Sequence, residues 1–209
     1  MHFIIVSGTP GTGKSSIASI ISTSIVINEI SNENKCDVIE VSDFAIRKNV
    51  VMPDDTGRET YVIDEEKLKD EILKESKGSK CYLLVTHYPD LFLDDERFYK
   101  DTIFTILLRT NPVVLMKRLK EKGWDETKII ENVLAESFNF IAEEIYDYKY
   151  DVIEIDTSNL EPEISLDLIF KKLYDSDFGI YIDWLSFENL LGFISDLVNR
   201  FNPNYDRIR

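Results

Sequence analysis

Apolar positions along the chain gather into five short runs, and the stretches between them carry helical spacing. Phe3–Ser7 is rich in β-branched residues and reads as a buried strand. Lys14–Ile27 follows as a helix. Val38–Val41 is the second run, entered through the polar turn Ser31-Asn32-Glu33-Asn34-Lys35. Within Glu65–Lys77, Leu68, Ile72 and Leu73 share one helical face. Cys81–Val85 is a strand with no polar side chain except the Tyr82 hydroxyl, and Ile103–Leu108 is another. Pro112 opens a helix at a first-turn position, and that helix runs to about Lys122 before Gly123. A long helix is expected from Asp125 to about Tyr148. Asp151–Ile155 is the last short strand and Ser165–Tyr174 the next helix.

Short apolar strands alternating with helices predict an α/β fold of three layers, with a parallel five-stranded sheet covered on both faces. In open sheets of this kind the ligand lies beyond the carboxyl ends of the strands. The residues just after each strand are therefore the informative ones. After the first come Gly8 to Ser15. After the second come Ser42 and Asp43, after the third Thr86 and His87, and after the fourth Arg109 and Thr110. A purely structural sheet does not require polar groups from four strands to converge on one edge.

The first of these segments, Gly8-Thr9-Pro10-Gly11-Thr12-Gly13-Lys14-Ser15, reads G-x-x-x-x-G-K-[ST], the phosphate-binding P-loop. Its glycines let the backbone turn tightly, so that successive N–H groups point at phosphate oxygens. Lys14 supplies a mobile positive charge for the β- and γ-phosphates, and the Ser15 hydroxyl is a ligand for Mg²⁺ carried with ATP. The helix that follows adds unpaired N–H groups at its N-terminus, which favour negative charge.

With 209 residues and 44% apolar content, the chain can bury one substantial core, and its length favours one domain with insertions. No linker is visible before the last ~30 residues. There are 39 acidic against 24 basic residues, a formal net charge of −15. That surface repels nucleic acid phosphates, so direct nucleic acid binding is not expected; it suits a basic protein partner or serves solubility alone. No apolar run approaches the ~20 residues of a membrane span. The first strand leads directly into the phosphate loop, so the N-terminus does not read as a targeting peptide. Cys36 and Cys81 are far apart and match no metal-ligand spacing. They are expected as two buried thiols in a reducing, cytoplasmic interior, or a nuclear one in a eukaryote.

Beyond the loop, further stretches carry a resemblance. They are Val41-Ser42-Asp43, Val62-Ile63-Asp64-Glu65, His87, Leu108-Arg109-Thr110-Asn111, and Val114 through Trp124. Lys128-Ile129-Ile130-Glu131-Asn132, Glu136, Phe138 and Glu143-Glu144 extend the pattern. The chain resembles a nucleoside monophosphate kinase and most closely the adenylate kinase isoenzyme 6 family, small kinase/ATPases tied to ribosome assembly. The resemblance covers about residues 1–175, and Ile182-Asp183-Trp184 looks like the C-terminal piece of archaeal members.

It implies a P-loop domain over 1–175 and a helical extension over 176–209. It also implies a monophosphate-binding region of roughly Glu40–Ile63 and a short lid of roughly Glu121–Glu131. The implied reaction is ATP + AMP = 2 ADP, with ATPase activity and maturation of the small ribosomal subunit alongside a basic ribosomal protein. Carried over by position, ATP binding falls on Gly11, Gly13, Lys14, Ser15, Ser16 and Lys122, and monophosphate binding on Asp43, Arg47 and Arg109. Lys14, Arg118 and His87 are the catalytic candidates. Arg118 stands where related kinases place an arginine on the transferring phosphate.

Three positions depart from the family. Val85 stands where an acid usually helps hold Mg²⁺. Lys122 replaces an arginine and loses its bidentate fork. Ile46 aligns with an arginine of some members, with Arg47 one place on.

Several of these residues have structural alternatives. His87 either positions an attacking water or simply ends a strand. Asp43 contacts the ribose or Mg²⁺, or Ser42-Asp43 caps a helix beginning at Phe44. Asp64 reads as an N-cap. Arg109 reaches the nucleotide or pairs with an acid. Lys122 and Lys128 close on ATP or stay solvated, and Trp124 packs the lid or stacks on adenine. Ile182, Leu185, Leu190, Leu191, Phe193, Ile194 and Leu197 resemble an amphipathic helix packed on the body, with a partner-binding or dimer helix as the alternative.

Overall fold

The computed structural model describes residues 1–24, 27, 35–53, 61–76, 81–146, 148 and 151–201. The elements of the first half are β1 (His2–Ser7), α1 (Lys14–Ile21), β2 (Asp37–Glu40), α2 (Val41–Arg47), β3 (Val51–Pro53), β4 (Tyr61–Ile63), α3 (Glu65–Glu75) and β5 (Cys81–Val85). Then come α4 (Asp90–Leu93), α5 (Glu96–Tyr99), β6 (Thr102–Arg109), α6 (Pro112–Glu121), α7 (Glu126–Ser137) and α8 (Phe140–Tyr146). β7 (Val152–Asp156), α9 (Pro162–Tyr174), a 3-10 turn (Trp184–Ser186) and α10 (Glu188–Phe201) complete the order.

Five strands form one parallel sheet in the order β2-β5-β1-β6-β7. β1 sits at its centre, and Phe3, Ile4, Ile5 and Val6 are fully buried. The two-residue period of a strand sends neighbours to opposite faces. Phe3 and Ile5 pack with Phe44, Leu68, Ile72 and Phe98 on one side; Ile4 and Val6 pack with Ile17, Ile21 and Ile169 on the other. The expected three-layer α/β architecture is the one observed.

Local chemistry starts the helices where the sequence puts it. Asp64 accepts from Lys67 N at 3.3 Å and caps α3. Asn111 accepts from Val113 N at 3.0 Å ahead of Pro112, and Asp125 accepts from Thr127 N at 2.9 Å ahead of α7. The cap expected at Ser42-Asp43 is different. β2 passes straight into α2, Glu40 holds the N-cap position without a side-chain cap bond, and Asp43 lies inside the first turn.

The continuous helix expected from Asp125 to Tyr148 is two helices. Asn139 takes a left-handed conformation at φ 60°, which ends α7 and turns the chain into α8. The hairpin β3–β4 and the short helices α4 and α5 fall below the resolution of periodicity. The α1 helix is described to Ile21, and the Ser31–Asn34 part of the predicted turn lies outside the described residues.

Cys36 and Cys81 correct another expectation. Both are buried, but they are joined in a disulfide. Asp37 pairs with Tyr82 across β2 and β5, so the residues just before them face each other, with Cα atoms 4.6 Å apart. The 45-residue separation hid a cross-strand contact.

A third apolar cluster joins α6, α7 and the C-terminal segment. Leu115, Leu119, Ile129 and Val133 pack against Trp184, Leu190, Ile194 and Leu197. The amphipathic helix therefore packs on the body, although Leu185 and Leu191 of its expected apolar face stay exposed. No helix among the described residues is long and apolar enough to cross a membrane.

Candidate active site

The phosphate loop runs from the buried end of β1 to the N-terminus of α1. Gly8 has φ +141°, and a Cβ there would run into the Leu108 carbonyl of β6. Gly13, the N-cap of α1, has φ +99°. Both conformations favour glycine. Inside the loop, the Thr9 carbonyl accepts from Thr12 N at 3.2 Å and from the Thr12 hydroxyl at 2.9 Å. The Lys14 ammonium donates to the carbonyls of Gly8 at 2.7 Å and Thr9 at 3.2 Å, curling over the loop that precedes it. Ser15 and Ser16 follow on the exposed first turn of α1.

Burial pushes the Lys14 ammonium down to about 8. Glu40 opposes that shift, Lys122 reinforces it, and Glu136 opposes it more weakly. Lys14 thus feels one carboxylate at the end of β2 and another from α7, together with the lysine at the end of α6. His87, just past β5, is pushed down to about 4 by burial and then by the Lys14 charge. It is a neutral imidazole at pH 7, and its ring centroid is 4.0 Å from that of Tyr88. Lys14 and His87, which the strand-end argument places on one edge, lie within electrostatic reach of each other, and Lys122 from the end of α6 joins Lys14 there.

Glu40 was not singled out as a ligand by the sequence. It is the register partner of Val85 on the adjacent strand. The sequence places Glu40 inside the run Val38–Val41, whereas the observed strand ends at Glu40 itself.

A cavity of about 450 Å³ opens beside the loop, lined by Gly11, Gly13, Ser16, Arg118, Lys122 and Thr157 among others. Leu160 and Pro162 give it an apolar wall. Arg118 lines this cavity together with Gly11 and Gly13. Its guanidinium donates to the Thr157 carbonyl at 2.6 Å and to the Thr110 and Thr157 hydroxyls at 3.3 Å. It is held against the loop after β7 and forms part of the cavity wall. Trp124 is 38% exposed and does not line this cavity, and Lys128 is exposed on α7.

Arg109 follows the second of its two readings, pairing with acids instead of the monophosphate, and those acids are buried. It is 1% exposed, and its guanidinium is consumed by buried partners. Nε donates to Glu136 at 2.9 Å and Nη1 to Glu154 at 3.0 Å. Nη2 donates to Asn139 and to the Glu136 carbonyl. The last residue of β6 points into the protein, where β7 and α7 supply two carboxylates, so it is a structural ion pair and not a monophosphate contact.

A second cavity, of about 280 Å³, is lined by Val62, Ile63, Glu65, Tyr88, Asp90 and Leu91. It joins the β3–β4 hairpin to the segment after His87. Asp43 is exposed on α2, and Arg47 lies over the Phe44 ring at 5.2 Å. No hydrogen bond joins either to the phosphate loop among the described residues.

Residues 4–139 match the AAA-domain family. A protein of Sulfurisphaera tokodaii named "Putative adenylate kinase" is 34% identical, over 90% of this chain and 88% of its own. The chain belongs to this family. A member from Saccharolobus solfataricus is 32% identical over 98% of this chain and 95% of its own. Two solved structures share the fold of the family. YorR protein from Bacillus subtilis, in complex with phosphorylated GDP, aligns with TM-score 0.50 at 19% identity over 85% of this chain and 99% of its own. Shikimate kinase from Bacteroides thetaiotaomicron aligns with TM-score 0.50 at 14% identity over 84% and 97%.

Proposed function

We propose that the protein is a nucleoside monophosphate kinase that transfers the γ-phosphoryl group of ATP to a nucleoside monophosphate, with AMP the expected acceptor. The observation that carries this reading is the phosphate loop, whose Lys14 charge reaches His87, together with two separate cavities lined from that loop and from the segment after His87. One is lined by the phosphate loop and Lys122; the other reaches Tyr88, beside His87. The donor occupies the first and the acceptor the second, within the region 40–63 and the segment after β5.

The chemistry is positioning and charge, with no covalent intermediate. The loop N–H groups and Lys14 hold the β- and γ-phosphates. Lys122 adds a second cation at the lid. Arg118, fixed on the 157–158 carbonyls, orients the donor from the cavity wall. The acceptor phosphate is already an anion, so no general base is needed. Magnesium, when bound with ATP, neutralises charge between the phosphates. The Ser15 hydroxyl and the Glu40 carboxylate are hard oxygen donors at this edge that suit it.

A second reading is favoured by His87. A neutral imidazole beside Lys14 accepts a hydrogen bond from water and so suits slow ATP hydrolysis. In that reading the −15 charge serves a basic ribosomal partner during small-subunit maturation. A coupled assay with MgATP and each of AMP, CMP, GMP and UMP separates the two. ADP formation that requires one monophosphate supports the kinase and identifies its acceptor. Phosphate release indifferent to all four, and lost in His87→Ala, supports the ATPase.

A further inference from the structure

One buried carboxylate, Glu136, connects the phosphate loop to Trp184, 48 residues further along the chain from it. Glu136 on α7 is 3% exposed. Its Oε2 accepts from the Thr9 hydroxyl at 2.6 Å. Its Oε1 accepts from Arg109 Nε at 2.9 Å, Thr110 N at 3.1 Å and Trp184 Nε1 at 2.9 Å. Thr9 in turn is the node of the loop, because its carbonyl accepts from Lys14 Nζ at 3.2 Å and from both the N–H and the hydroxyl of Thr12. A line of hydrogen bonds therefore runs from Trp184 through Glu136 and Thr9 to Lys14.

The far end of that line is anchored with equal care. Glu154 Oε2 accepts from Tyr181 N at 2.5 Å and Ile182 N at 2.9 Å. Arg109 Nη1 donates to the Ile182 carbonyl at 3.2 Å, and Asn139 Nδ2 donates to Asp183 at 3.1 Å. Trp184 is itself 3% exposed and packs in the cluster with α6 and α7. Packing alone would need only an apolar ring at this place. The indole N–H aimed at Glu136 is a directional contact, and it falls on the same carboxylate that the loop uses.

We propose that residues 180–184 are a positioning element for the nucleotide. Through Trp184 and Glu136 they hold Thr9, and Thr9 presets the phosphate loop and the Lys14 ammonium for ATP. Glu136 is a positioning residue that touches no substrate. A buried carboxylate oxygen without its donor is costly. Oε2 therefore keeps the Thr9 hydroxyl in place, and the loop is arranged before the phosphates arrive, which lowers the ordering cost of binding. This inference rests on the reading that the loop binds ATP.

The test titrates ATP calorimetrically into the full chain and into Thr9→Val, Thr9→Ser, Trp184→Phe and the double variant Thr9→Val/Trp184→Phe, with Lys14→Ala as reference. Loss of a hydrogen bond to a charged group at Thr9 weakens ATP binding by roughly tenfold or more, and Thr9→Ser restores it to within about threefold. Trp184→Phe, which keeps the ring and removes the N–H, weakens ATP by about threefold or more and leaves monophosphate affinity unchanged. The double variant loses less than the product of the two singles, because both act through one carboxylate. Unchanged ATP affinity in Thr9→Val and Trp184→Phe, with only the melting temperature lowered, overturns the proposal and leaves Glu136 as scaffold. Strictly multiplicative losses overturn the link to Trp184. Should Lys14→Ala also bind ATP normally, the loop is not the phosphate site and the functional reading falls with it; loss of binding there with none at Thr9→Val refutes this inference alone.

Discussion

Replacing Arg109 with methionine separates the two roles that its position at a strand end allows. The guanidinium lies 2.9 Å from Glu136 and 3.0 Å from Glu154, and the three side chains are 2%, 3% and 1% exposed. Methionine fills most of the volume but leaves two buried carboxylates without their shared countercharge. Removing one partner of a buried ion pair costs about 3–5 kcal/mol. For a chain of this length each kcal/mol moves the melting temperature by about 2–4 °C, so Arg109→Met is expected to melt roughly 6–20 °C below the parent. Arg109→Lys falls between, because a single ammonium keeps the charge and cannot span both carboxylates with a planar fork. Circular dichroism melts give the stability, and nucleotide titration well below the melting point gives the affinity. A melting temperature within about 2 °C of the parent, together with collapsed nucleotide affinity, would refute the structural assignment of Arg109.

Other consequences follow from charge. Lys14 has a free pKa of about 8, and bound phosphates favour its ammonium form. ATP affinity is therefore flat below pH 7 and falls by about tenfold per pH unit above 8, a decline that Lys14→Arg abolishes. On stability the sign is opposite. The folded state holds fewer protons than the unfolded chain between about 8 and 10.5, so the Lys14 contribution is most favourable above that window and is lost as pH falls through it. His87, at about 4, stays neutral down to mildly acidic pH. Any monophosphate-independent phosphate release is accordingly level from about pH 5.5 to 7 and drops only as pH approaches 4; an inflection near the ordinary histidine value of about 6.5 would contradict its placement beside Lys14.

The sheet was legible because its central strands β1, β5 and β6 are mainly apolar and buried on both faces. The loop was legible because Gly8, Gly13 and Lys14 are residue types that its geometry demands. The break at Asn139 was not, since helical spacing continues through it and only a left-handed φ reveals it. The cysteine pair was hidden because register between non-consecutive strands is a tertiary property. Arg109 was placed at the end of its strand, but the sequence carries no record of which way a strand-end side chain turns. For Arg109 the direction is set by Glu154, which comes from a strand 45 residues later. The β3–β4 hairpin is too short for a period to register.

The most direct test follows the phosphoryl group itself. The protein is incubated with magnesium, ATP labelled in its γ-phosphate, and AMP, and the products are separated. The account predicts label in the β-phosphate of newly formed ADP, two ADP for each ATP consumed, and no transfer by Lys14→Ala. Label recovered only as free phosphate, at a rate unaffected by AMP, would contradict it.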